Sequence, residues 1–216
     1  MVDVFIIYEE DFLMINFEKQ LNSIGIFDKG TINKTNYGLE VIVNEGSKLL
    51  FMSFFYLLIG YFSRYLFALA MLFPIRSFSG GLHMKTKLGC TLFSFAVIFL
   101  AVYLLPKINI IPWVLFIIYL VSISNTVLIS PVKNPNRPIR TQIRYKNLKK
   151  KVLLFAIVNS IILFVLFINS INTYFFTGVW ILLLNNVQLF TTWIYYLVKG
   201  EKDDSKKIVK EDVSCN

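Results

Sequence analysis

The stretch "LLFMSFFYLLIGYFSRYLFALAMLFPI", residues 49–75, is one long apolar run interrupted at Ser63-Arg64. As a single helix rising 1.5 Å per residue it would reach about 40 Å, too long for a hydrocarbon core of about 30 Å without heavy tilt. The stretch therefore predicts two helices. The first covers roughly 41–62, a tight turn falls near Arg64, and the second runs down to Ile75.

Downstream, four further runs are long enough to span: Leu88–Leu105, Ile110–Ile129, Val152–Ile168 and Phe175–Val198. The expected fold class is all-α, a polytopic membrane protein with six transmembrane helices. Composition agrees. The 216 residues are 56% hydrophobic and only 16% charged, too apolar for an ordinary soluble domain. No Asp or Glu occurs between Glu45 and Glu201. The start, MVDVFIIYEEDF, lacks a basic n-region and does not read as a cleavable signal peptide.

The net charge of +9 does not point to nucleic acid, because the charges sit in short segments between apolar runs. The segment "PVKNPNRPIRTQIRYKNLKKK" carries eight Lys/Arg and no acid, which predicts a cytoplasmic loop. Counting helices from it places both termini and the 76–87 loop in the cytoplasm as well. The three external connections then hold only Arg64 and Lys107, and the other 20 basic residues lie inside. A five-helix count would break this parity.

Upstream of the spans, Leu13, Phe17, Leu21 and Ile24 share one helical face, with Glu18, Lys19 and Asn22 away from it. Ile15 and Gln20 break the pattern. It suggests an amphipathic helix lying on the anionic inner leaflet of the bilayer. The expected organisation is a cytoplasmic N-terminal amphipathic segment (1–40), a six-helix membrane domain (41–198) and a disordered cytoplasmic tail (199–216).

Little chemistry is available inside such a domain. The absence of carboxylates between 46 and 200 rules out a paired-carboxylate site there, and one His with one internal Cys is too few ligands for a metal. No cofactor motif is present either. A thiol and an imidazole remain, the minimal pair for nucleophilic catalysis, and both fall in "GGLHMKTKLGC", Gly80 to Cys90. Cys90 sits in the first turn of the helix expected from Leu88, with Thr86 as a candidate N-cap. The positive end of a helix, with Lys85 and Lys87 beside it, favours the anion an attacking sulfur becomes.

His83 is placed to take the thiol proton and return one to a leaving amine. In one continuous helix, however, seven residues would part it from Cys90 by about 10 Å. A dyad therefore needs a break in the chain between them, and Gly80, Gly81 and Gly89 would permit one. Taken singly, a membrane-edge Cys is usually a packing residue and a loop His usually solvated. Their co-occurrence in one short loop favours the dyad. Any third member must be neutral, with Ser77, Ser79, Asn125 and Asn185 all open. The basic loop is first a topological device, and can also attract an acidic stretch of substrate. Asn125, Asn185, Asn186 and Gln188 should face neighbouring helices, as ties between helices in preference to the lining of a peptide path.

Arg76, Gly80, Gly81, His83 and Cys90, in "RSFSGGLHMKTKLGC", resemble the signature of the AgrB family of quorum-sensing membrane peptidases, as does the loop "SPVKNPNRPIR". Met84 departs from the small residue expected after the histidine. The resemblance implies a cysteine endopeptidase with Cys90 as nucleophile and His83 as base, acting on an AgrD-type propeptide. Cleavage would pass through an acyl-thioester and promote cyclisation to a thiolactone or lactone. Arg76, Gly80, Gly81, Lys85, Lys87, Arg137 and Arg140 would contact substrate, and a homodimer is implied. The competing expectation is a non-enzymatic transporter or scaffold for peptide export or signalling, in which Cys90 has no reason to be reactive.

Overall fold

The computed structural model describes the backbone of residues 29–81, 86–108, 110–132 and 141–214. Among these residues every regular element is helical: α1 (Lys29–Leu58), α2 (Phe62–Ser79), α3 (Lys87–Phe99), α4 (Pro112–Ile129), α5 (Gln142–Ile168) and α6 (Asn172–Ser214). A π-helical turn at Leu100–Leu104 and a 3₁₀ turn at Leu105–Lys107 prolong α3, and Pro106 limits the extension. The amphipathic pattern expected over residues 10–25 lies outside the described residues.

The chain divides into two compact units, 1–58 and 59–216. In the first, α1 carries the charges that make an early span doubtful. Lys48 donates to Glu45 at 2.7 Å, one turn apart, so the buried ammonium has an anionic partner.

The break within residues 49–75 falls earlier than the arginine suggests. α1 ends at Leu58, and Gly60 makes the turn with φ 76°, a conformation glycine adopts freely. Arg64 lies inside α2, its guanidinium 4.8 Å above the Tyr61 ring. A long cation that can stack on an aromatic ring at a helix end has no need of a turn.

In the second unit α2 packs on α5 and α6, and α6 also meets α4, α5 and the α3 limb. One face of α2 is buried through Tyr65, Ala68, Met71, Leu72, Ile75 and Ser79, the i, i+3, i+4 spacing of a helix stripe. Pro74 lies inside α2, and one turn before it Asn159 of α5 donates to the Met71 carbonyl at 3.1 Å. A neighbouring side chain thus serves the backbone where a proline disturbs it.

Gly178 lets α6 approach closely. A Cβ there would stand 2.7 Å from Leu163 Cδ2 and 3.0 Å from Phe67 Cε1. Polar ties add specificity. Asn186 donates to the Ser122 carbonyl and to Thr126 Oγ1, both at 2.8 Å, and Tyr119 shares a 2.9 Å hydrogen bond with Ser160. Asn125 donates to Asn186 at 3.4 Å, and Asn185 and Gln188 are buried, so all four amides face protein as expected.

Among the described residues, four helices are long and apolar enough to cross a membrane: Leu88–Lys107, Pro112–Ile129, Gln142–Ile168 and Asn172–Val198. Their outer faces expose Ile117, Val121, Leu154 and Ile161, an apolar surface suited to lipid rather than water. The chain is a multi-pass helical membrane protein. The described residues form six α-helices, and α1 and α2 are not among these four. α2 has only 18 residues and includes two arginines and three serines. The last helix continues to Ser214, past the apolar stretch and into the polar tail where the sequence alone suggests disorder.

Candidate active site

The thiol lies where the sequence places it. Thr86 is extended (φ −113°, ψ 144°), and its hydroxyl accepts from the Gly89 amide at 3.1 Å as an N-cap. The Cys90 amide donates to the Thr86 carbonyl at 3.1 Å, which fixes Cys90 in the first turn of α3. The thiol is free and partly exposed. A continuous helix from residue 83 to residue 90 is therefore absent, and the chain break a dyad requires exists at Thr86. His83 and Lys85, like Arg137 and Arg140, lie outside the described residues, as does the side chain of Lys87.

On the other side of the loop, α2 ends at Ser79. The Gly80 amide donates to the Arg76 carbonyl at 3.2 Å, and Gly80 has φ 86° and ψ −170°. This region of backbone space is essentially reserved for glycine. It turns the chain so that the Ser79 carbonyl accepts from the Val132 amide at 3.0 Å. A Cβ on Gly80 would stand 3.3 Å from the Val132 carbonyl oxygen. The two conspicuous glycines thus have different duties. Gly80 is a contact surface for the segment Ser130–Val132, whereas a Cβ on Gly81 would meet only Arg76 Nε, at 3.7 Å.

Sequence reasoning missed this junction. It joins the end of α2 to the residues that lead into the basic loop, and Ser79, Ser130 and Val132 are all buried in it. The one signal in the sequence was the Ser-Pro immediately before the lysines. Thr141 caps α5 by accepting from the Arg144 amide at 3.4 Å, so the basic residues from Arg144 to Lys151 ride on helix, not loop. Lys151 lies 4.9 Å above Phe78, which stacks on Phe155. Cations from α5 are thus drawn to the end of α2 that leads into the His83 loop.

Of the four neutral candidates for a third member, Ser77, Ser79 and Asn125 have hydrogen-bond partners of their own, and Asn185 is buried. The Ser77 hydroxyl donates to the Phe73 carbonyl and the Ser79 hydroxyl to the Gly80 carbonyl. Asn125 is tied to Asn186.

The fold is a helical membrane bundle with a partly exposed thiol at the capped start of one helix. The family model of accessory gene regulator B, AgrB, matches residues 13–192, and the chain belongs to that family. It is 29% identical over 133 residues to a protein described as AgrB-like from Clostridium beijerinckii. The match covers 60% of this chain and 66% of that relative, just under two thirds of its length. No solved structure matches the chain.

Proposed function

We propose that the chain is a cysteine endopeptidase that processes a quorum-sensing propeptide of the AgrD type. The observation that carries this is the capped helix start: Cys90 in the first turn of α3, separated from His83 by an extended residue. Membership of the AgrB family supports the substrate class.

In the first step the His83 imidazole accepts the thiol proton, and Cys90 Sγ attacks the carbonyl carbon of the scissile bond. The C–N bond breaks, and the imidazolium returns the proton to the departing amine. The N-terminal part of the propeptide remains as an acyl-thioester on Cys90. A thiol or hydroxyl of the same substrate then attacks the thioester, its proton passing by way of His83 to the Cys90 sulfur as the C–S bond breaks, and a thiolactone or lactone leaves with the Cys90 thiol restored. A thioester suits this because it keeps the acyl group activated while its chain end is held near an internal nucleophile.

The reaction would take place at the cytoplasmic face, with both termini on that side. This follows from the cation distribution along the chain. Arg76, Lys85, Lys87, Arg137 and Arg140 would attract the substrate, and Gly80 and Gly81 would shape its approach. The protein would work as a homodimer. Co-expression with candidate propeptides, compared for wild type, Cys90→Ser and His83→Ala, tests the activity. A shortened propeptide with wild type and none with either membrane-inserted variant is expected. Unimpaired processing by either variant would refute it.

A further inference from the structure

Gln188 of α6 is 6% exposed, and neither its side-chain nitrogen Nε2 nor its side-chain oxygen Oε1 has a hydrogen-bond partner among the described residues. An orphaned amide in a membrane-spanning helix is unfavourable, because no water is at hand to compensate it. The other amides of the bundle show the contrast: Asn159 and Asn186 both donate across to neighbouring helices.

Its direction follows from helix geometry. Asn186 faces α4. Two residues further along, Gln188 is turned by about 200°, away from α4. Gly178 faces α2 and α5, and the one remaining neighbour of α6 within its unit is the α3 limb. Trp180 and Leu184 lie on the same row as Gln188 at i, i+4 and i+8. The Trp180 Nε1 is also a buried donor without a partner among the described residues.

Its depth matches that of the nucleophile. Tyr103 of the α3 limb packs edge-on against Tyr61 at 5.3 Å, so their helix ends are level. Cys90 is thirteen residues from Tyr103, about 20 Å along the bundle. Phe67 lies six residues beyond Tyr61 and touches the Gly178 position. Gln188 is ten residues past Gly178, which puts it about 24 Å from the same reference. Gln188 and Cys90 therefore lie within one helical turn in depth, on helices that are neighbours.

We infer that Gln188 is a substrate-backbone clamp: its side-chain amide pairs with one peptide unit of the propeptide, within about two residues of the bond that Cys90 attacks. Neither side-chain amide atom has a partner among the described residues, so the occupant must offer an acceptor and a donor together, as a peptide group does. The spacing fits an extended chain, which rises about 3.3 Å per residue. α6 contacts the α3 limb chiefly through the π and 3₁₀ turns at the far end and less at the Cys90 end. The inference rests on the peptidase reading and adds a residue to it.

The test uses the full chain in detergent with the inactivating Cys90→Ser substitution, and a fluorescein-labelled form of whichever propeptide co-expression shows the wild type to cut. Gln188→Leu, with Gln188→Met as a second variant, should weaken binding at least tenfold while leaving the melting temperature equal or higher. Removing two orphaned groups relieves the unliganded protein. Unchanged Kd in either variant overturns the clamp, and so does a lower melting temperature in both, since that marks an amide already bonded in the unliganded bundle. Cleavage by Cys90→Ser itself is a separate result, and it refutes the peptidase reading rather than the assignment of Gln188 alone.

Discussion

Exchanging Gly80 for alanine should disable the protein, and exchanging Gly81 should not, although the sequence presents the two as a pair. Gly80 has φ 86° and ψ −170°, where a side chain is unfavourable by roughly 1–3 kcal/mol. Its Cβ would also stand 3.3 Å from the backbone oxygen of Val132. That oxygen has little freedom, because the Val132 amide is held on the Ser79 carbonyl at 3.0 Å. Relief by undocking sacrifices this bond, worth about 1 kcal/mol net. The combined effect is about 2–4 kcal/mol, or a factor of roughly 30 to 1,000 in favour of the undocked junction.

Gly81 has a Cβ position 3.7 Å from Arg76 Nε, an ordinary contact, and no positive φ. Its replacement should fall within about 0.5 kcal/mol. Propeptide processing in membranes, normalised to the inserted protein, is the assay. Gly80→Ala should lose at least tenfold and Gly81→Ala less than threefold. Wild-type rates for Gly80→Ala, or a larger defect for Gly81→Ala, would refute the account of the junction.

Three other substitutions probe separate parts of the structure. Thr86→Ala removes the hydroxyl that accepts from Gly89, a cap worth about 1 kcal/mol, and should slow processing several-fold while Thr86→Ser retains it. Gly178→Val forces branches into Leu163 and Phe67 and should destabilise the bundle by about 1–3 kcal/mol, read as an earlier thermal transition in detergent. Asn159→Leu frees the Met71 carbonyl beside Pro74. It should destabilise by about 0.6–1.7 kcal/mol, measured by the same melt, with Tyr119→Phe as a milder comparison.

Hydropathy alone located the four long spans, because each is a continuous apolar run ended by polar residues or proline. It misplaced the turn between the first two helices, since an arginine in an apolar stretch is the stronger signal when the stacking of Arg64 on Tyr61 is invisible. Residues 142–151 read as loop because their charge outweighs their helical character, yet Thr141 caps them into α5.

At the site, the Thr86 cap and the first-turn position of Cys90 were legible, for both are local effects of residues three or four apart. The docking of Val132 on Ser79 and Gly80 was not. It joins segments some fifty residues apart, and no periodicity encodes such a contact. The separate roles of Gly80 and Gly81 follow only from that contact.

The central claim is that Cys90 becomes acylated by its substrate. The most direct measurement is intact-protein mass spectrometry of the purified full chain after brief exposure to a propeptide that it processes. The account predicts an adduct with the mass of the N-terminal propeptide fragment less water, localised to Cys90, released by hydroxylamine and absent from Cys90→Ala. Turnover of the propeptide by Cys90→Ala, or an adduct on another residue, would contradict it.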